Sequence, residues 1–215
     1  MFYKDASGIY RAEPLERFAW LMHGFGTRAA SLPGENEHLA ILKQIHSGIC
    51  VTAAGRSGCL GEGDALLENT PGCAVAVKTA DCLPILLVDP RNRALAVVHA
   101  GWRGTAQKIA TSAVQRMKEY FATAPEQLHV AIGPGIGSCC YEVGSEVASQ
   151  FGRTGKVKLD LAELNRKQLV DWGVPDRHVC LAKLCTMCRP EEFHSYRRDG
   201  GKAGRMFSVA GIRAI

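Results

Sequence analysis

Two apolar segments separated by a short turn constrain the fold of this chain more than any other feature. LPILLV at 83–88 and ALAVVH at 94–99 are joined through the turn residues DPRN. Short apolar runs bounded by turn residues are typical of buried strands, so the sequence predicts a hairpin over 83–99. Because strands rise about 3.3 Å per residue, Cys82 and His99 are expected to lie close together at the open end of that hairpin.

The rest of the chain mixes strand and helix patterns without a regular βαβ alternation, which predicts an α+β fold with mixed sheets. Further strands are expected at 49–53, 73–78, 128–132, 178–182 and 205–212, and helices at 104–121, 141–151 and 161–172. Thr105 is the predicted N-cap of the first of these helices. Asp160 and Glu163 form a variant capping box for the last one, which Gly173 closes.

Length and composition predict one globular domain over residues 1–215. The chain is 47% hydrophobic and 22% charged, with a formal net charge of +5. This mild basic excess fits an anionic small-molecule substrate and gives little support for nucleic-acid binding. The start of the sequence has no continuous apolar segment, and charged residues and a proline interrupt the apolar stretch 73–88, so we expect a cytoplasmic protein without a membrane span.

His46, Cys82 and His99 are the strongest candidates for chemistry. Two imidazoles and a thiolate can hold zinc tetrahedrally and leave a fourth position for water or substrate. Water held there approaches a pKa of about 7 and becomes a usable nucleophile. Alternatively, one of the two histidines activates Cys82 as a nucleophile without a metal. A buried cysteine beside two structural histidines is the third interpretation that the spacing allows.

The remaining cysteines and the arginines provide weaker signals. The count of nine cysteines is odd, which argues against a disulfide framework. CTMC at 185–188 would need a second pair to form a zinc ribbon, and the nearest candidates, His178 and Cys180, fall on a predicted strand, so ordinary burial is preferred. The glycine-rich GPGIGSCCYEVG loop is expected to line a pocket, with Cys139 or Cys140 inside. Phosphate or carboxylate ligands are expected among Arg28, Arg103, Arg197 and Arg198.

The order of the motifs KQIHSG, TADCLP, HAGWRGT, IGPGIGSCCYEVG and FHSYRRDGG resembles the YfiH/LACC1 family, from about residue 20 to the C-terminus. That family is also called the laccase-domain, multicopper polyphenol oxidase or peptidoglycan editing factor family. The resemblance implies an αββα-layered mixed sandwich related to the CNF1-like cysteine hydrolases. It also implies metal ligands at His46, Cys82 and His99, with zinc or copper as the ion.

The activity implied by this resemblance is purine nucleoside phosphorolysis. Adenosine, inosine and methylthioadenosine would be split to the base and the sugar 1-phosphate, and adenosine would also be deaminated. The expected partners are therefore a small nucleoside and phosphate, with no nucleic acid and no membrane, while the oligomeric state stays open. The segment 28–43 is shorter than is usual in the family, which leaves the substrate preference open.

Three other functions remain compatible with the same residues. A cytoplasmic amidase that edits peptidoglycan precursors would use the same cysteine and histidines and would not require phosphate. A copper-dependent polyphenol oxidase would need several copper centres, and the sequence shows no second histidine cluster. A binding protein without catalytic activity would hold the metal and turn over no substrate.

Overall fold

The computed structural model describes residues 1–30 and 38–214, and within them the chain forms fifteen strands and six α-helices. The strands are β1 Phe2–Lys4, β2 Tyr10–Ala12, β3 Leu21–Phe25, β4 Leu39–Lys43, β5 Cys50–Thr52, β6 Gly58–Glu62, β7 Ala65–Glu68, β8 Ala74–Thr79, β9 Leu83–Asp89, β10 Ala94–Ala100, β11 His129–Ile132, β12 Glu142–Val143, β13 Val157–Lys158, β14 Val179–Leu181 and β15 Met206–Ile212. The helices are α1 Glu13–Glu16, α2 Trp102–Ala106, α3 Ile109–Phe121, α4 Ser145–Ser149, α5 Leu161–Asp171 and α6 Tyr196–Asp199.

The strands build two large mixed sheets. The first has seven strands in the order β1-β2-β3-β15-β8-β4-β6, and the second has six in the order β14-β11-β9-β10-β7-β5. Most neighbours are antiparallel, but β4 runs parallel to β6 and β8, β5 parallel to β7, and β11 parallel to β14. This confirms the mixed α+β class predicted from the sequence.

The two sheets pack face to face around an apolar core. Phe25 and Val77 of the first sheet contribute to the same buried cluster as Leu86 and Val97 of the second. On the other face of β9, Ile85 and its alternate neighbours belong to a second cluster beneath the helices. Because β9 is buried on both faces, its sequence is continuously apolar instead of alternating.

Helices α3 and α5 cover the outer face of the six-stranded sheet. The buried side of α3 includes Ile109, Ala113 and Met117, at the helical spacing that the sequence indicated. Helix α5 begins as predicted, since Asp160 Oδ1 accepts a hydrogen bond from the Glu163 backbone N–H at 3.0 Å. No helix in the described residues combines the length and apolar character needed to cross a membrane.

Two helix predictions need correction. The single helix expected over 104–121 is divided into α2 and α3, because Lys108 adopts a left-handed conformation with φ 59°. Gly101, and not Thr105, is the N-cap of α2, and the buried Thr105 hydroxyl instead accepts a hydrogen bond from Asn165 Nδ2 at 2.9 Å. The helix expected over 141–151 is only α4, because the residues before it pair as β12 with β13.

The hairpin β9–β10 positions the candidate chemistry. Its register pairs His99 with Pro84 and Ala100 with Leu83, so the chain just before β9 lies beside the end of β10. Asp89 stabilises the turn. Its Oδ1 accepts hydrogen bonds from the backbone N–H groups of Arg91 at 2.9 Å and Asn92 at 3.2 Å. The hairpin predicted from the sequence therefore brings Cys82 and His99 to one end of the second sheet.

Candidate metal centre and active site

Three potential metal ligands meet at the open end of the hairpin. His46 comes from the loop after β4, Cys82 from the turn before β9, and His99 from β10. Their ligand atoms all lie within 4.8 Å of one another, and the two imidazole rings are 4.8 Å apart with an interplanar angle of 66°. The structure thus brings together the three residues that the sequence singled out.

Asp64, just before β7, orients two of these ligands. Its fully buried carboxylate lies 2.8 Å from His99 Nδ1 and accepts hydrogen bonds from the backbone N–H groups of His46 at 3.1 Å and Ser47 at 2.6 Å. A carboxylate on Nδ1 leaves Nε2 of His99 free to face a metal. The bonds to the loop also hold His46 in its left-handed conformation, with φ 58°.

Asp81 fixes the turn that presents Cys82. Its φ of 84° is unusual for a non-glycine residue, and its carboxylate accepts hydrogen bonds from Thr186 Oγ1 at 2.6 Å, Ser195 Oγ at 3.0 Å and the Arg197 backbone N–H at 2.6 Å. These partners come from the loop that carries Thr186 and from the start of α6, more than 100 residues along the chain. The position of the thiol therefore depends on the C-terminal part of the molecule.

The ligand set has the space and the chemistry to hold a metal ion. A β-carbon at Gly101 would lie 2.7 Å from the Cys82 sulfur and 3.1 Å from His46 Nδ1, so only glycine leaves this space open. Two imidazoles and one thiolate suit zinc or copper, and a three-residue set leaves a coordination position facing the cavity. The residues present fit such an ion.

Charge interactions within the site favour the ionised thiol. Burial raises the pKa of Cys82, but hydrogen bonds and charge from His46 and His99 outweigh it and bring the pKa to about 7. Burial lowers the pKa of His99, yet its contacts with Asp64 and Cys82 raise it to about 9. Burial likewise raises the pKa of Asp64, and the hydrogen bonds from His99 and Ser47 lower it to about 2.

A cavity of about 730 Å³ opens over the three ligands. Its lining includes the aromatic residues Trp102, Tyr141 and Tyr196 and the cationic residues Lys43, Lys78, Arg103, Arg197 and Arg205. The guanidinium of Arg103 lies 4.5 Å from the Trp102 ring, and that of Arg197 lies 5.2 Å from the Tyr141 ring. The cavity therefore combines flat apolar surfaces with positive charge, which suits a planar ligand that carries or meets an anion.

Three of the predicted site residues lie elsewhere. Arg28 is exposed, and its Nη1 donates a hydrogen bond to the Pro190 carbonyl at 3.0 Å. Arg198 donates hydrogen bonds to the carbonyls of Thr186 and Phe193 at 3.1 and 2.8 Å. Neither arginine lines the cavity.

Cys140 is the third of these residues, and it does not line the cavity either. Its sulfur lies 3.3 Å from that of Cys188. Ordinary burial, the interpretation preferred for CTMC, also needs correction because Cys188 is exposed, as is Cys139. Cys139, Cys140, Cys185 and Cys188 form a group separate from the three candidate ligands.

Several residues of the site were missed by the sequence analysis. Asp64 precedes the buried ALLE strand, and an acidic residue before an apolar run was the one signal that could have marked it. Lys78, Tyr141 and Arg205 reach the cavity from three different segments. No local spacing connects those segments, so only the tertiary structure brings them together. Residues 31–37 of the shortened segment 28–43 lie outside the described residues.

The fold has two mixed sheets, and a His-Cys-His set lies under a cationic and aromatic cavity. These features define the class of the protein as a candidate metal-dependent enzyme. The chain belongs to the family described as multi-copper polyphenol oxidoreductase laccase, whose model matches residues 26–213. This match confirms the family resemblance found in the sequence motifs.

Relatives and solved structures agree with this membership. A protein of Deinococcus radiodurans named purine nucleoside phosphorylase is 42% identical over 195 residues, which cover 86% of this chain and 74% of that protein. A protein of an unknown prokaryotic organism named adenosine deaminase RL5 is 39% identical over 159 residues, or 67% of this chain and 60% of its own length. The crystal structure of YlmD from Geobacillus stearothermophilus superposes with a TM-score of 0.90 at 29% identity and covers 99% of this chain and 98% of that one.

Proposed function

We propose that the protein is a purine nucleoside phosphorylase that also deaminates adenosine, acting in the cavity above His46, Cys82 and His99. The observation that carries this proposal is the combination of a three-ligand set with an aromatic and cationic cavity of about 730 Å³. The names of the relatives described above support the same activities. We further propose a cytoplasmic location, where both phosphate and nucleosides are available.

In phosphorolysis, a phosphate oxygen bonds to C1′ of the nucleoside while the bond from C1′ to the purine nitrogen breaks. The products are the free base, which takes up a proton, and ribose 1-phosphate. In this chain Arg103 and Arg197 are the proposed phosphate ligands, because both line the cavity and a guanidinium binds phosphate oxygens in a bidentate manner. Lys78 and Arg205 add positive charge to the same wall.

The purine ring is expected to contact the aromatic side of the cavity. Trp102 and Tyr141 present flat surfaces, each already paired with a guanidinium. Contact with such surfaces orients a planar base and excludes water from it. In adenosine deamination, water adds to C6, the bond from C6 to the amino nitrogen breaks and ammonia leaves. This reaction would take place with the same base turned toward His46 and His99.

Zinc is the proposed ion, with copper as the alternative, held by His46, Cys82 and His99. When bound, the ion supplies Lewis-acid charge at the base of the cavity. Asp64 keeps the proton of His99 on Nδ1, so that Nε2 faces the ligand set. Gly101 keeps the space between Cys82 and His46 open.

The proposal is tested by incubating metal-analysed protein with adenosine, with and without inorganic phosphate, and separating the products by chromatography. Adenine and ribose 1-phosphate should form only with phosphate, and inosine should form in both conditions. Cys82→Ala should reduce both products by at least about 100-fold, as expected for loss of a group that acts directly on the substrate or holds the metal.

Two results would contradict the proposal. One is full turnover by Cys82→Ala while the circular dichroism spectrum stays that of the folded protein. The other is phosphate-independent cleavage of a cell-wall precursor amide with no turnover of adenosine, which would instead identify the hydrolase. Cys59→Ser is the matched control, because Cys59 is exposed on β6, away from the cavity.

A further inference from the structure

Four cysteines that do not line the cavity meet in a second group. Cys139, Cys140, Cys185 and Cys188 have sulfur atoms that all lie within 4.8 Å of one another. The sulfur of Cys188 is 3.6 Å from that of Cys139 and 3.3 Å from that of Cys140. None of the four belongs to the His46–Cys82–His99 set, and the proposed reaction does not use them.

The spacing of these sulfurs suits a single tetrahedral ion. Four thiolates at about 2.3 Å from zinc lie about 3.8 Å from one another. The two shortest separations, 3.3 and 3.6 Å, are slightly below that value, and no pair of sulfurs is more than 4.8 Å apart. All four cysteines are free. The vicinal pair Cys139–Cys140 therefore supplies the second pair that the CxxC segment needs to complete a four-thiolate site.

The two loops that carry the cysteines are held together by backbone contacts. Gly135 donates a hydrogen bond to the Leu184 carbonyl at 3.2 Å, and Thr186 donates one back to the Gly135 carbonyl at 3.0 Å. The Gly137 N–H donates to the Cys185 sulfur at 3.3 Å. Hydrogen bonds from backbone N–H groups to sulfur orient and stabilise metal-binding thiolates. The backbone at Gly137 also approaches the cysteines closely, since a β-carbon there would lie 3.2 Å from the Cys139 sulfur and 3.3 Å from the Cys185 β-carbon.

Arg198 holds the CxxC segment in place. Its guanidinium donates hydrogen bonds to the carbonyls of Thr186 at 3.1 Å and Met187 at 3.3 Å, the two residues between the CxxC cysteines. Its charge is balanced by Asp199, whose carboxylate accepts two further hydrogen bonds at 3.0 Å. The segment that carries Cys185 and Cys188 is therefore fixed through its backbone carbonyls.

We propose that Cys139, Cys140, Cys185 and Cys188 bind one zinc ion in a structural site separate from the active site. The site fixes two parts of the active centre. The 133–144 loop carries Tyr141 of the cavity wall, and the CxxC segment carries Thr186, which bonds to Asp81 beside Cys82. Zinc at the four cysteines holds both segments against the cavity.

The test counts zinc in a chain whose first site has been removed. In a His46→Ala/Cys82→Ala background, elemental analysis of the purified protein should find about one zinc ion per chain. Adding Cys188→Ser should reduce the zinc content to near zero, whereas adding the control Cys59→Ser should leave it unchanged. Cobalt exchanged into the background protein should show thiolate-to-cobalt absorption that Cys188→Ser loses.

A second measurement does not require the cysteine variant, which could lose zinc simply by misfolding. Removal of the ion from the His46→Ala/Cys82→Ala protein with a chelator, under reducing conditions, should lower Tm, and added zinc should restore it. A folded background protein that binds no zinc and whose thiols all react with a thiol reagent overturns the proposal. A disulfide among the four cysteines, found by mass spectrometry of protein purified under reducing conditions, also overturns it. These readouts do not depend on nucleoside turnover, so failure here leaves the proposed function untouched.

Discussion

At the scale of single residues, Gly101 controls the space between two of the three ligands. Its backbone is extended, with φ −80° and ψ −178°, a conformation that alanine also adopts. A β-carbon there would nevertheless lie 2.7 Å from the Cys82 sulfur. We expect Gly101→Ala to weaken zinc binding at this site by about 10- to 100-fold without unfolding the protein. Competition with a chromophoric chelator, in a Cys188→Ser background that leaves one site, measures the change.

Gly144 offers a matched control for this substitution. It is also an N-cap glycine, with φ −78° and ψ 176°, and a β-carbon there meets nothing within 4 Å. Gly144→Ala should therefore keep wild-type zinc affinity. Equal affinity in the two variants would show that the space at Gly101 does not limit the site.

Candidate site residues could be predicted from the sequence where a local motif marked them. The hairpin pattern and the motifs pointed to Cys82 and His99, and the structure places them together with His46. Asp64 was missed because its role depends on the register of β7 beside β10, which no local pattern encodes. Arg28 and Arg198 were predicted to hold an anion but do not line the cavity. An arginine near glycines can bind either a substrate or a backbone carbonyl, and the sequence does not distinguish these two roles.

At the scale of elements, the start of α5 shows a helix cap that the local sequence predicted. Asp160 caps the helix through its hydrogen bond to the Glu163 N–H. Asp160→Ala should lower the free energy of unfolding by about 1 kcal/mol, because one backbone donor loses its partner. Chemical denaturation measures this difference, and Asp160→Asn should retain most of the stability, since asparagine caps equally well. An asparagine variant as unstable as the alanine variant would assign the loss to charge and not to capping.

Helix ends were less predictable than helix existence. The apolar spacing marked the buried side of α3 correctly, but α2 and α3 are separated at Lys108, which is left-handed. The Thr105 hydroxyl does not cap a helix and instead accepts a hydrogen bond from Asn165 of α5. Because that contact joins residues far apart in the sequence, the capping preference of Thr105 did not predict its role.

At the scale of the whole molecule, buried histidines predict a loss of stability in acid. Burial, followed by the charge of Arg11, lowers the pKa of His23 from 6.5 to about 4. The lowered value holds although a Glu16 carboxylate oxygen lies 3.6 Å from His23 Nδ1. Between those pH values the unfolded chain binds the proton and the folded chain does not. The free energy of unfolding should therefore fall as the pH drops from 6.5 toward 4, by up to about 3 kcal/mol for this group.

Urea denaturation at several pH values tests this expectation. His23→Gln should flatten the pH dependence over that range, while the exposed control His38→Gln should keep the wild-type slope. Because His129 has a pKa lowered to about 4 as well, through burial and the neighbouring His178 and Arg17, part of the slope should persist in His23→Gln. An unchanged slope in His23→Gln would show that His23 does not contribute to the pH dependence of stability.

The class of the fold could be predicted from the sequence, but the order of strands in its sheets could not. Alternating and continuous apolar runs identify strands, yet several neighbours in the sheets lie far apart in the chain, as with β3 and β15. Strand pairing between such segments is decided by the packing of the complete core.

The central position of β15 has a consequence for how the protein is made. This strand, close to the end of the described chain, lies between β3 and β8 and pairs with both. Until it leaves the ribosome, β1–β3 and the β8-β4-β6 group have no common partner, and each exposes an unpaired strand edge. Unpaired edges can pair with other chains, so the growing polypeptide is expected to be prone to aggregation until β15 has been synthesised.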